Sequence, residues 1–352
     1  MLISRPHSAL THVRELSKAE LAFLDSLPAA LPRHVADALW QLTTASSELG
    51  LFTAQEAYAA GLSIDGVQRL VRIGVLWRVE QGWYALALPG LTPEEVHGRR
   101  VFALVSGRLG DVVASHHSAL AWHGLATFRA DFATVHLTYR HRTTHRRRPG
   151  CVSHGRNAST VGLPADAWTV APAFAVVQAG LLAGELGALV AGDAALASGL
   201  ATVADLQAAV EASAHARGIK SVAAVLPYLD RGAESALESL LRYALALLGY
   251  ATVPQYLVKW EGRVARVDLK LRGTRLIAEA DGAVKYRPKR DDDGRPAKRI
   301  VDIVSDQQAR QTLLERAGFK VLRFAWGDVV DERGRLRLTH IKARVEGALR
   351  AG

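Results

Sequence analysis

Cysteine is almost missing from this chain of 352 residues: Cys151 stands alone. That excludes an intramolecular disulfide and any zinc site built from several thiolates, and it fits a cytoplasmic protein. Long apolar runs are missing too. The opening stretch, MLISRPHSALTHVREL, is broken by Arg5, His7, His12 and Arg14, so it does not read as a targeting segment. Val170 to Ala201 is rich in Ala and Gly and is interrupted by Glu185 and Asp193. A membrane-spanning helix wants about 20 strongly apolar residues, so this stretch reads as a buried helical packing region and no membrane partner is expected. Acidic residues are outnumbered, 34 against 44 Lys and Arg, giving a formal charge of +10. A basic surplus suits a polyanion, because Lys and Arg displace counterions from nucleic acid. DNA is the expected partner.

Nearly half of the residues are hydrophobic, and the length allows two or three globular domains. Changes of texture suggest boundaries near residues 90 and 230. In residues 1–90, Thr53 is placed to cap a short helix ending at Gly61. Ser63 is placed to cap a second helix, whose buried stripe would be Ile64, Val67, Leu70 and Val71. Two short strands, VLWRVE and GWYALAL, follow around Gln81-Gly82. Helix, tight turn, helix and β-hairpin is the order of a winged helix-turn-helix domain. Gln68, Arg69 and Arg72 would then face DNA from the second helix, and Arg78 from the hairpin. The same domain used only for protein packing remains the alternative.

Residues 91–230 read as a middle α/β region. Its densest basic run, YRHRTTHRRRPG, offers Arg146, Arg147 and Arg148 as a clamp on a phosphate backbone, or else a solvated loop. His116, His117, His123, His136, His141, His145 and His154 invite a metal site. His117 and His123, however, are six apart and share no helical face, and no carboxylate stands nearby at ligand spacing. Structural, hydrogen-bonded histidines are expected instead.

Residues 231–352 carry the clearest pattern. AESALESLLRYALALLGY is an amphipathic helix ended by Gly249, and three strands follow in TVPQYLVKW, VARVDLKL and RLIAEAD. A charged loop leads to the helix DIVSDQQARQTLLERAG, the strand KVLRFAW and a closing helix at HIKARVEGAL. The order α-β-β-β-α-β predicts a mixed sheet flanked by helices, so the fold class is α/β, with α+β character overall. A two-residue turn at Gly273-Thr274 would set Arg272 against Arg275, Lys270 against Ile277 and Asp268 against Glu279. The last two Cβ atoms would be about 5 Å apart, with Asp281 on the same face. Val267, Leu269, Leu271, Leu276, Ala278 and Ala280 would form the core side. Facing carboxylates repel unless a cation neutralises them, and a hard divalent ion, Mg²⁺ or Mn²⁺, suits oxygen ligands. Lys285, Arg287, Lys289, Arg290, Lys298 and Arg299 in the following loop would hold phosphates. A solvated acidic hairpin paired with those cations is the plainer alternative.

The segments VARVDLKL, IAEADGAVKY and LLERAGFKVLRFAW resemble the core of the restriction-like PD-(D/E)XK endonucleases similar to very-short-patch-repair enzymes. FTAQEAYAAGLS, RVEQGWYAL and SHHSALAWHGL resemble the N-terminal winged helix of the abortive-infection antitoxin type, so the likeness spans most of the chain. It implies a restriction-endonuclease-like C-terminal domain in which Asp268 and Glu279 match the two metal-binding acids. Glu238 matches a helix glutamate that completes such sites, with Glu234 one turn before it, and Arg310 matches a helix arginine near the site. Asp281 stands where many relatives carry a catalytic lysine, so Lys285 or Lys270 would supply that charge, or metal alone would activate the water. Gln307 and Gln308 stand where close relatives often show Glu-Lys. The resemblance implies a metal-dependent deoxyribonuclease, a phosphodiester hydrolase of DNA repair or phage defence. Its catalytic set would be Asp268, Glu279, Asp281, Glu238 and Lys285, the four acids holding metal. A non-catalytic DNA-binding regulator or antitoxin-like protein is the alternative, and a homodimer or protein partner is left open.

Overall fold

The computed structural model describes residues 15–27, 31–47, 49–281 and 310–350. The protein is mixed α/β, and its chain divides into two compact units. The first comprises residues 1–124 and 131–170, the second residues 125–130 and 171–352.

The first unit opens with helices α1 (Lys18–Asp25) and α2 (Arg33–Ala45). Strand β1 (Leu51–Thr53), helices α3 (Ala54–Ala59) and α4 (Ile64–Arg72), and strands β2 (Leu76–Glu80) and β3 (Trp83–Leu86) follow. The three strands form one sheet in the order β1-β3-β2. Local chemistry sets the helix starts. The Thr53 hydroxyl accepts the Glu56 N–H while the Glu56 carboxylate accepts the Thr53 N–H, and the Ser63 hydroxyl accepts the Gly66 N–H. Gly61, at φ +91°, turns the chain between α3 and α4 in a conformation that side chains resist. Val67 and Leu70 join Leu39, Phe52 and Leu76 in the core. Ile64 departs from its expected place in the buried stripe and is 59% exposed. It is the first residue of α4, one turn before Val67, where the helix has passed the edge of that core.

The same unit continues with α5 (Pro93–Ser106), β4 (Val112–Ala114), α6 (His116–Trp122), β5 (Val135–Tyr139), β6 (Arg146–Arg148) and β7 (Cys151–His154). Its second sheet has the order β4-β5-β7-β6, with β5 and β7 parallel. The basic run is divided by this fold. Arg140 is buried and donates to the Ala167 carbonyl (2.8 Å), whereas Arg146, Arg147 and Arg148 stay exposed along β6.

His97 lies inside this unit with no exposure. Its Nδ1 bonds the Phe132 carbonyl (2.9 Å), so Nδ1 carries the proton and Nε2 accepts from the Ser118 hydroxyl (2.9 Å). Burial pushes its pKa down to about 4. The unfolded chain therefore takes up this proton first, as pH falls below about 6.5. The stability tied to neutral His97 is full above that value and is lost as pH falls toward 4, at about 1.4 kcal/mol per pH unit. Urea unfolding of wild type and of His97→Asn between pH 7.5 and 4.5 should show a shallower pH slope for the variant. Equal slopes would remove His97 as a source of acid sensitivity.

The second unit begins with the Ala-rich helices α7 (Pro172–Ala183) and α8 (Glu185–Ala197), then α9 (Val203–Ala212) and α10 (Ile219–Val225). Helices α7 and α8 pack closely enough that a Cβ at Gly180 would stand 2.7 Å from the Ala188 Cβ. Among the described residues, no helix is long and apolar enough to cross a membrane. Helix α11 (Ala236–Leu247) leads into β8 (Thr252–Trp260), β9 (Arg263–Leu271) and β10 (Leu276–Ala280). The described part of α12 (310–316), β11 (Lys320–Phe324), α13 (Trp326–Val329) and α14 (Leu338–Arg350) complete the chain. The sheet has the order β11-β10-β9-β8, and only β10 and β11 run parallel. The α-β-β-β-α-β order expected from sequence is present. All five residues of β10 are buried, so both faces of the sheet are covered there.

Candidate active site

Strands β9 and β10 pair Lys270 with Ile277 and Leu269 with Ala278, the register expected from the hairpin. One step further, Asp268 stands against Glu279. The turn itself is built differently from the two-residue form expected. Arg272 N–H donates to the Ala251 carbonyl and the Arg275 carbonyl accepts from Lys320 N–H, so both arginines serve neighbouring segments rather than each other. The Thr274 hydroxyl closes the loop onto the Leu271 carbonyl (3.0 Å), with Gly273 at φ +71°.

The same register continues outward on both sides. Strand β8 pairs Pro254 with Leu269 and Tyr256 with Val267, which sets Gln255 against Asp268. Strand β11 pairs Arg323 with Glu279. One polar row, Gln255, Asp268, Glu279 and Arg323, therefore crosses four strands. Asp268 and Glu279 are buried, 9% and 7% exposed. Asp268 Oδ2 accepts the Ala280 N–H (2.9 Å), which ties the carboxylate to the neighbouring strand. Glu279 Oε1 accepts from Arg310 Nη2, and its Oε2 lies 3.6 Å from Arg323 Nε. Arg310 also donates to the Arg266 carbonyl (2.7 Å), which anchors it over the row.

Glu238, in the first turn of α11, is 3% exposed. It accepts from Ser235 Oγ (2.9 Å), Glu234 N–H (3.1 Å) and Gln255 Nε2 (2.8 Å). Gln255 thus joins the helix glutamate to the strand row. It holds φ +49°, an uncommon backbone conformation for a residue with a side chain. Glu234 pairs with Arg266 (2.8 Å) at a largely exposed position. Asp281 is half-buried just past β10, where its N–H extends the parallel ladder to the Phe324 carbonyl (2.8 Å). Lys285, Arg287, Lys289, Arg290, Lys298, Arg299, Gln307 and Gln308 lie outside the described residues.

Two buried carboxylates in facing positions fit a hard divalent ion, whose charge would relieve their repulsion. Arg310 and Arg323 already oppose the charge on Glu279. Among the described residues, the one group of three or more His, Cys, Asp or Glu whose ligand atoms lie within 4.8 Å of one another is elsewhere, at His116, His136 and His154. The four acids expected to share a metal therefore separate into a facing pair, Asp268 and Glu279, a helix glutamate, Glu238, reached through Gln255, and Asp281 just past the end of β10.

In the first unit Gln68, Arg69, Arg72 and Arg78 are all exposed. Arg146, Arg147 and Arg148 are exposed as well, and Arg148 approaches Glu80 (3.9 Å). Sequence reasoning missed Gln255 and Arg323. Extending the hairpin register by one strand on each side would have found both. It also missed the histidine convergence, which joins three separate elements. No protein-family model matches the chain, and no curated protein matches it.

Proposed function

We propose that the protein is a DNA endonuclease or nickase dependent on Mg²⁺ or Mn²⁺, with its hydrolytic site at Asp268 and Glu279. The observation that carries this reading is the buried, facing pair of carboxylates on β9 and β10, bordered by Arg310, Arg323 and the Gln255–Glu238 contact. Asp268 and Glu279 would hold the ion, with Asp281 and Glu238 completing or orienting its shell. A bound divalent ion lowers the pKa of water and offsets charge developing on a phosphoryl group. Arg310 and Arg323 are placed to exchange Glu279 for a phosphate oxygen, because guanidinium groups bind carboxylates and phosphates with the same geometry. Lys285 and Arg287, which lie outside the described residues, would add charge from the sequence after β10. The resemblance to very-short-patch-repair-like PD-(D/E)XK enzymes supports the same assignment, within DNA repair or phage defence.

The order β1, α3, α4, β2, β3, with the sheet order β1-β3-β2, supports a winged helix-turn-helix reading of the first unit. Gln68, Arg69 and Arg72 on α4 and Arg78 on β2 would contact DNA, and Arg146, Arg147 and Arg148 would follow its backbone. Arg69→Ala and Arg72→Ala should each weaken duplex binding and lower the salt slope by about 1. Fluorescence anisotropy across a salt series reads this directly, and unchanged slopes in both would remove α4 from the interface.

A second reading, a non-catalytic DNA-binding regulator, draws on one observation: Glu279 is already paired by Arg310 and Arg323, so the acidic pair persists without a cation. The two readings separate on plasmid and single-stranded DNA with Mg²⁺, Mn²⁺ or EDTA, using wild type, Asp268→Ala and Glu279→Ala. Metal-dependent nicking lost in both variants is expected. Tight, salt-sensitive binding without cleavage by wild type would establish the regulator instead.

A further inference from the structure

We infer that His116, His136 and His154 form a binding site for one borderline transition-metal ion, such as Zn²⁺ or Co²⁺, inside the first unit. Each ring comes from a different element: His116 from the first turn of α6, His136 from β5 and His154 from the end of β7. One nitrogen of each lies within 4.8 Å of the others. The His154 ring stacks on both of the others, and the His116 and His136 rings are tilted, with centroids 4.1 Å apart for His116 and His154 and 5.1 Å for each of the other two pairs. Four-coordinate zinc binds imidazole nitrogen at about 2.0–2.1 Å, which sets ligand nitrogens roughly 3.3 Å apart. The present nitrogens bracket that spacing: His136 Nδ1 and His154 Nε2 are 2.9 Å apart, and all three lie within 4.8 Å of one another. That close contact holds a single shared proton, which an ion would displace.

The surroundings are those of a ligand set rather than a plain apolar core. His116 Nδ1 bonds Ser115 Oγ (2.9 Å), the kind of outer hydrogen bond that usually orients a metal-bound imidazole. The backbone N–H of His136 is held by Ser118 Oγ (2.8 Å), and Ser118 is in turn held by His97. His116 adopts φ +55°, a costly backbone conformation for a side-chain-bearing residue and one that concentrates at ligand sites. His116 and His136 are buried while His154 is half-buried, so solvent reaches the group from the His154 side. Burial lowers the pKa of all three, with neighbouring histidines adding to it, so each is a neutral imidazole near pH 7, the form that binds metal. Nitrogen ligands favour Zn²⁺, Co²⁺ or Ni²⁺ over Mg²⁺, which separates this site from the carboxylate pair of the second unit.

The test uses the full-length, tag-free protein, stripped with a chelator and titrated with Co²⁺ at pH 7.5. A visible d–d absorption band saturating at one equivalent is expected, with a rise in Tm and displacement of the band by Zn²⁺. His136→Gln and His154→Gln should lose both signals, whereas His141→Gln, at an exposed position, and Asp268→Asn should keep them. A buried variant can fail to fold, so the wild-type titration decides by itself. No band and no Tm shift at one equivalent overturns the site, as does a band lost equally in His141→Gln.

Discussion

Replacing Asp193 with Ala should lower the unfolding free energy of the protein by about 3–5 kcal/mol. Asp193 on α8 meets Arg242 on α11 at 2.8 Å, with side-chain exposures of 1% and 9%. Asp193 also accepts the Asp230 N–H (2.8 Å), and Arg242 donates to the Tyr228 carbonyl. The pair therefore joins the Ala-rich helices to the helix that enters the sheet. Removing the aspartate leaves a guanidinium buried and short of its counter-charge, and that desolvation cost dominates the effect. Burial raises the Asp193 pKa more than Arg242 lowers it, so the bridge does not repay the whole cost of burying its charges. The double variant Asp193→Leu, Arg242→Met should accordingly recover most of the loss, short of about 1 kcal/mol for the orphaned Asp230 N–H. Urea unfolding of both variants measures the difference. A single variant within 1 kcal/mol of wild type would mean that water reaches Arg242 when Asp193 is gone.

Asp268→Asn and Glu279→Gln should each reduce DNA cleavage by about 10²–10⁴-fold. Metal stabilisation of a phosphoryl transition state is worth several kcal/mol, and each 1.36 kcal/mol is tenfold in rate. Stability should respond far less to Glu279→Gln. Its partners Arg310 and Arg323 are 37% and 40% exposed, so water can solvate both guanidinium groups once the buried Glu279 is neutralised. A large loss of cleavage beside a nearly unchanged Tm therefore marks a site residue, measured by plasmid nicking and thermal unfolding on the same preparation. A fall in Tm matching the loss of activity would make Glu279 a structural residue.

How much of this was legible follows the range of the interactions involved. The pairing of Lys270 with Ile277 could be read because one turn and the alternation of Leu269, Leu271, Leu276 and Ala278 constrain the same few residues. The caps at Thr53 and Ser63 are equally local. Turn detail was less legible, since Arg272 and Arg275 bond to segments far along the chain. Arg140 reads as a surface charge until the fold brings the Ala167 carbonyl to it. His116, His136 and His154 share no spacing that a period could reveal. Their convergence depends on α6 lying over parallel strands β5 and β7, a product of the whole fold. Gln255 and Arg323 fall between these cases: the register reaches them once the strand order is known.

The proposed function requires Asp268 and Glu279 to share a divalent ion. Anomalous scattering from a crystal soaked in Mn²⁺ tests it most directly. A Mn²⁺ peak between the two carboxylates, absent from Asp268→Asn crystals, with Arg310 turned away from Glu279, is the result predicted. A wild-type crystal with no Mn²⁺ peak between them, and with Arg310 and Arg323 still holding Glu279, would contradict the account.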